Sequence, residues 1–299
     1  MRYFQTSLWL MLLVSSQLFA DLKITWKAPE QTNHPLAGWV WDTRQSSNLL
    51  NLSEWLDQID KGTWLLIGEQ HDHPDHHQLQ TLIIQTLAND NRLGSVAFEM
   101  ANTDQQSFLD DFLGQGDDVT VDDLKWSPGW PWERYENQLR DALNHATRVV
   151  AADLPRSAQM LAYQQGAAEG QLDDAHTRYM MELIFTSHCE MLPRANLPQM
   201  LQVQLGRDQQ MARTMIENTH PDKVNLLIAG SIHVRNDLGI PRWLNIPHTS
   251  LVLMPLDASH EPTDYLDEVY PNFPSGELSS DFLLFTPTMP EQDYCAAFQ

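Results

Sequence analysis

Positive charge is scarce in this sequence. Its 299 residues carry 18 Lys and Arg against 40 Asp and Glu, a formal charge of −22. A surface of that sign repels a polyanion, and phosphate contacts need a surplus of cationic side chains, so an unaided nucleic-acid binder is excluded. Cysteine is almost missing. Cys189 and Cys295 are the only two, too few for a disulfide framework; one bridge pinning the C-terminal tail and two separate thiols both stay open. Beyond residues 1–20 no run is long and apolar enough to span a bilayer, which takes roughly 20 residues. The lack of a Gly-x-Ser-x-Gly elbow argues against an ordinary serine hydrolase. No Walker-type or G-x-G-x-x-G loop follows a strand, which argues against a nucleotide cofactor. No internal repeat is visible.

What remains is an ordinary globular composition, with 42% hydrophobic and 19% charged residues, which excludes disorder. The length allows one large core or two domains. The ten Trp suit either a large core or an apolar ligand surface. Residues 1–20 (MRYFQTSLWLMLLVSSQLFA) have a short leader with Arg2, an apolar run at 8–14 and a small residue, Ala20, at the end. That layout is a secretory signal. It predicts an exported mature chain from Asp21, with no cysteine there to carry lipid.

Strand and helix patterns alternate. Buried strands are expected at 63–67 (TWLLI), 95–98, 148–152, 224–228 and 250–254. Helices are expected at 75–87, 103–113 and 133–145, with a loop over 114–131. Such βαβ units imply an α/β fold with a mostly parallel sheet flanked by helices. Residues 157–168, 174–188 and 197–218 read as helix with no strand between them, an inserted helical subdomain at about 157–219. The sheet core then covers about 34–156 and 220–299. The run 281–285 is expected as an edge strand.

In open parallel sheets ligands bind beyond the carboxyl ends of the strands. Those ends carry Gly68-Glu69-Gln70-His71, then Glu99-Met100, then Asp153-Leu154-Pro155-Arg156, then Gly230-Ser231-Ile232-His233 followed by Arg235. Two Gly-x-x-His units, two carboxylates and two guanidiniums are thus expected to face one crevice, with each glycine letting the backbone turn sharply. Glu69 reads either as a helix cap or as a site residue; Asp72 and Asp75 read as caps. Of His73, His76 and His77 at the start of a helix, at least one is expected to be solvated, while His71 with His76 or His77 could form part of a metal or ligand site. Glu99, His71 and His233 read as functional.

The segments LLIGEQHDHPDHHQLQ, VAFEM, AADLPR, SHCEMLP and LLIAGSIHVRNDLGIPRWL resemble the ChaN group of haem-binding uptake proteins, within the Tiki superfamily that also holds Tiki-type proteases and erythromycin esterases. The paired Gly-x-x-His motifs with Glu99 mark the superfamily. His188-Cys189 and the Gly239-Ile240-Pro241 turn point to ChaN. The resemblance implies an α/β sheet with a helical subdomain and a homodimer enclosing haem. It also implies iron held by a tyrosine and propionates held by polar groups, in service of an outer-membrane haem or iron uptake system. Tyr163 and Tyr179 are then the candidate tyrosines, whereas Tyr135 reads as core. His71, His188 and His233 are further haem-site candidates. Arg156, Arg235 and Arg194 are candidate propionate partners, since guanidinium matches a carboxylate with two parallel hydrogen bonds. Trp126, Trp130 and Trp132 either flank the ligand or pack in the core. The leader lacks the lipid-bearing cysteine common in the group, which points to the periplasm without an anchor. A hydrolase is the alternative. In it Glu69, His71, Glu99 and His233 act as base and orienting carboxylate, or His71, His76, Glu99 and His233 bind a divalent metal, zinc or manganese, that activates water.

Overall fold

The computed structural model describes residues 24–45, 48–167, 172–259, 261–265 and 278–296; the expected export signal lies outside them. In chain order the strands are β1 (Trp39–Asp42), β2 (Leu49–Asn51), β3 (Trp64–Glu69), β4 (Leu93–Asn102), β5 (Arg148–Asp153), β6 (Val224–Gly230), β7 (His248–Pro255) and β8 (Phe282–Thr286). The helices are α1 (Leu52–Asp57), α2 (Pro74–Asn89), α3 (Gln106–Asp111), α4 (Trp132–His145), α5 (Arg156–Gln165), α6 (Asp174–Ser187) and α7 (Leu197–Glu217). They build one eight-stranded sheet in the order β2-β1-β8-β7-β3-β6-β4-β5. The run from β8 to β5 is parallel throughout, and β1 and β2 join it as an antiparallel hairpin.

One expected strand changes place, and one hairpin was not expected. The segment at the C-terminal end is a strand but not an edge: β8 lies between β7 and β1, because the hairpin adds on outside it. That hairpin and α1 carry too short a pattern to be read from sequence, and β1 pairs with a segment from the far end of the chain.

Period-two alternation gives the sheet two buried faces. Leu65 and Ile67 point to the face covered by α2 (Leu79, Ile83, Leu87) and α4 (Leu139, Leu143). Trp64 and Leu66 point to the other face, where Met211, Ala212 and Met215 of α7 pack. The first half of α7 contributes Leu201 and Leu205 to a third cluster with Met180, Ile184 and Phe185 of α6. One long helix therefore serves both the sheet and the helical insertion, and fixes how the insertion stands over the strand ends. At the outer edge, the Gln106 amide takes the place of a neighbouring strand for β5. It donates to Val149 O at 2.9 Å and accepts from Ala151 N–H at 2.8 Å, which closes ladder groups that would otherwise be open for pairing.

The N-terminus of α2 is more buried than expected. His73 is its N-cap, and Pro74 opens its first turn. Asp75 does not cap; it accepts from the Lys27 and Ala28 N–H groups at 2.7 and 3.0 Å and so fastens the N-terminal segment. Asp72 is not a cap either, and accepts from the Tyr294 hydroxyl. None of the three histidines is solvated, since His73, His76 and His77 are all buried. The rings of His73 and His76 stack at 4.0 Å, and Pro287 O and the Thr286 hydroxyl lie beside their Nε2 atoms at 2.9 and 3.1 Å. The C-terminal segment covers what would otherwise be an exposed helix start.

Candidate functional site

The carboxyl ends of β3, β4 and β6 open into a crevice of about 620 Å³, roofed by α6 and α7. It brings together His71, Glu99 and His233, which the chain places far apart. The two motif glycines are there for space, since neither has a positive φ. A Cβ on Gly68 would sit 2.4 Å from Val234 and 3.0 Å from Ser231 Cα, where the β6 loop crosses β3. A Cβ on Gly230 would sit 2.9 Å from His71 Nε2. Gly239 answers a third close approach, a Cβ there lying 2.1 Å from His233 O. The Gly-Ile-Pro turn thus folds directly onto the His233 loop, and Ile240 N–H donates to His233 O at 2.8 Å.

Glu99 is the buried anionic centre. Pairing of β4 with β6 ends at Phe98–Ile228, and the Gly230 N–H donates instead to Glu99 Oε2 at 2.7 Å. Arg207 Nη2 donates to Glu99 Oε1 at 2.7 Å and to Asp153 Oδ2 at 2.8 Å, while its Nε lies 3.0 Å from each Asp153 oxygen. His233 Nε2 is 3.3 Å from Glu99 Oε1, and its Nδ1 is hydrogen-bonded to Asp208. Burial alone would raise the Glu99 pKa, but the charges of His233 and Arg207 hold it well below the usual carboxylate range. Burial likewise acts against the His233 proton, yet the carboxylates of Glu99 and Asp208 raise its pKa to about 10. The result is a closely paired ion cluster with both His233 nitrogens occupied.

His71 is built differently. Its side chain is 38% exposed and its Nδ1 lies 2.8 Å from Glu69 Oε1. Glu69 is buried and also accepts from the Tyr135 hydroxyl at 2.8 Å and from Gln80 Nε2. Burial lowers the His71 pKa, but the hydrogen bond to Glu69 and the charge of Glu99 reverse that and raise it. The Tyr135 hydroxyl is pushed up by burial and by the Glu69 charge, and stays protonated as a donor. Trp130 packs edge-on against the His71 ring at 4.8 Å. An imidazole oriented through one nitrogen by a carboxylate presents its other nitrogen to the cavity, the usual way a ligating or reacting histidine is held.

The opposite wall is apolar, made by Met180, Leu183 and Ile184 of α6 with Val252, Leu253 and Met254 of β7. His188 stands at its rim, its Nδ1 2.8 Å from Ile184 O. Other expected site residues lie elsewhere. His76 is turned into the protein, its Nδ1 accepting from Gln70 N–H and its Nε2 engaged by Thr286. Tyr163 and Arg156 lie on α5, half-buried and exposed, away from the crevice lining. Arg235 and Tyr179 line a side cavity of about 220 Å³, where Arg235 makes two hydrogen bonds to Asp237 at 3.0 and 2.8 Å. Arg194 pairs with Glu182 on the surface. The guanidinium in the crevice is Arg207. Among the described residues no three His, Cys, Asp or Glu side chains are arranged to hold a metal ion.

Sequence reasoning missed Gln204, Arg207 and Asp208. A signal was present. At spacings of three and four these polar residues share one face of α7, a helix otherwise apolar on its inward side. Tyr135 is core, as expected, but its hydroxyl also serves the site. Cys189 and Cys295 are bonded, with Cα atoms 5.4 Å apart.

A family model described as haem-binding uptake, Tiki superfamily, ChaN matches residues 55–244. Among solved structures, the chain superposes on ChaN of Campylobacter jejuni, described by its cofacial haem binding. That match has a TM-score of 0.65 and 22% identity, over 82% of this chain and 95% of that one. Fainter likenesses reach the type III effector HopBA1 (TM-score 0.41, 13% identity, 75% of this chain and 88% of that one). An erythromycin esterase, EreC, in its open conformation gives TM-score 0.41 and 12% identity, over 77% and 76%. No curated protein matches.

Proposed function

The chain belongs to the ChaN group of haem-binding uptake proteins in the Tiki superfamily, and from that footing we propose that its crevice binds haem and that it serves haem or iron acquisition outside the cytoplasm. The observation that carries this reading is the pairing of one half-exposed, carboxylate-oriented imidazole with an apolar wall in a cavity of about 620 Å³, within the size of small-molecule sites. His71, with His188 across the crevice, would hold the group; the wall of α6 and β7 would take its apolar face. Haem would supply an iron for these residues to ligate and a large apolar macrocycle whose burial drives binding. The acidic surface is compatible with this, because the affinity comes from that burial.

Cofacial haem binding, described for the Campylobacter jejuni protein, supports a reading in which a second copy of this chain encloses the ligand. Export from the cytoplasm is supported by the leader at 1–20 and by the Cys189–Cys295 bond, since disulfides persist in oxidising compartments. The hydrolase reading is weaker: Glu99 and His233 are occupied with each other, Arg207 and Asp208, which leaves His71 as the exposed base.

The test is titration of the purified mature protein with hemin. A Soret shift that saturates at a simple ratio, falls in His71→Ala and accompanies dimer formation on size exclusion is expected. An unshifted Soret band overturns the proposal.

A further inference from the structure

The C-terminal segment crosses from the sheet to the helical insertion. After β8, Pro287 O lies beside His73, and Thr288 bridges to Glu30. Further on, the Tyr294 hydroxyl donates to Asp72, and Cys295 is bonded to Cys189. These two anchors adjoin crevice residues from two different elements, which form its lips here. Asp72 directly follows Gln70 and His71, just past β3; Cys189 directly follows Ser187 and His188, at the end of α6. Tyr294 and Cys295 are consecutive, their Cα atoms about 3.8 Å apart, so one peptide unit and two side chains hold the lips together.

The two anchors differ in kind. Cys189–Cys295 is covalent, at the loop just past the end of α6 where Cys189 has φ +56°. Tyr294 is 60% exposed, and its hydroxyl is held by side-chain hydrogen bonds alone, to Asp72 and Gln70, a link that opens more readily than a covalent one. We propose that the tail is a strap across the crevice mouth, hinged on Cys189–Cys295 and latched by Tyr294 on Asp72, and that it gates entry and release of the ligand. Opening the latch frees the phenol while the disulfide keeps the tail close enough to close again. Reduction by a dithiol removes the hinge: its two thiol hydrogens pass to Cys189 and Cys295 as it closes its own disulfide.

With hemin as the probe this rests on the haem reading, so two measurements are paired. Stopped-flow mixing of hemin with Tyr294→Phe is expected to raise association and dissociation rates together by about fivefold, with affinity nearly unchanged. A Cys189→Ser/Cys295→Ser variant and dithiol-reduced wild type are expected to match each other. Unchanged rates, or lost affinity at an unchanged association rate, overturn the strap; the second result would make Tyr294 a ligand contact. Hydrogen exchange of ligand-free protein supplies the independent arm. Amides at 70–73 and 187–191 are expected to exchange faster in Tyr294→Phe and in reduced protein, and equal exchange overturns the strap even if hemin does not bind. Absence of hemin binding with faster exchange leaves the strap standing and overturns only the haem reading.

Discussion

Arg207, from the middle of α7, donates to Glu99 at the end of β4 across 2.7 Å, with the carboxylate 1% and the guanidinium 17% exposed. The same guanidinium grips Asp153 of β5. One side chain thus pairs with two strand-end carboxylates and ties the helical insertion to the sheet. Removing one partner of a buried ion pair leaves the other uncompensated. Arg207→Met is expected to cost about 3–5 kcal/mol, read by urea unfolding. Restoring part of that loss with Glu99→Gln added on top would confirm that the cost is stranded charge, the rest belonging to Asp153.

Stability should fall on the alkaline side. His233 has its pKa raised to about 10, while in the unfolded chain it titrates at the ordinary histidine value of 6.5. The native state therefore holds the extra proton between these values, so its stabilisation is complete below 6.5 and is lost as pH rises through about 10. Melting temperature is expected to drop between pH 7 and 10, and less so in His233→Gln. A flat profile in the wild type would show that His233 is not charged.

Gly230→Ala separates site from scaffold. The new Cβ meets the end of a movable side chain, His71 Nε2, at 2.9 Å and no backbone at that distance. Stability is expected to drop by about 1 kcal/mol, at the low end for overpacking. Hemin affinity is expected to fall roughly tenfold as the imidazole is displaced. Thermal melts and hemin titration read the two effects separately.

Glu69→Gln keeps the shape but removes the charge that orients His71. With the amide oxygen in place of Oε1, the Tyr135 hydroxyl keeps its acceptor and the imidazole loses its carboxylate, while the Gln80 amide meets an NH2 in place of Oε2. Hemin affinity is expected to fall roughly 10–100-fold, the usual cost of losing the partner of a ligating histidine. The pH midpoint of hemin release should move down with the His71 pKa. An unmoved midpoint would place the site elsewhere.

Gln106→Ala exposes the outer edge of β5. The Val149 carbonyl and the Ala151 N–H would lose their partner, at about 1–3 kcal/mol if water does not replace it. Faster exchange of the Ala151 amide is the direct readout.

Much of the fold was legible because parallel strands buried on both faces read as apolar runs, as in TWLLI and VNLLI, and the helices between them keep helical spacing. The strand ends carrying Glu69, His71, Glu99 and His233 followed from the same pattern. The β1–β2 hairpin was not legible, because its stability comes from β8 at the other end of the chain. Neither was Arg207, whose role exists only once α7 is laid over β4 and β5.

By itself the sequence determined the α/β class, the acidic surface and the set of polar residues that end the strands, because these depend on local periodicity and composition. Tertiary structure alone decided which of those residues is available. It occupied both nitrogens of His233 and turned His76 and Arg235 away. It left His71 half-exposed between a buried carboxylate and open space. Whether a histidine can meet a ligand depends on which groups, distant in the chain, reach its nitrogens first, and that is fixed only by packing.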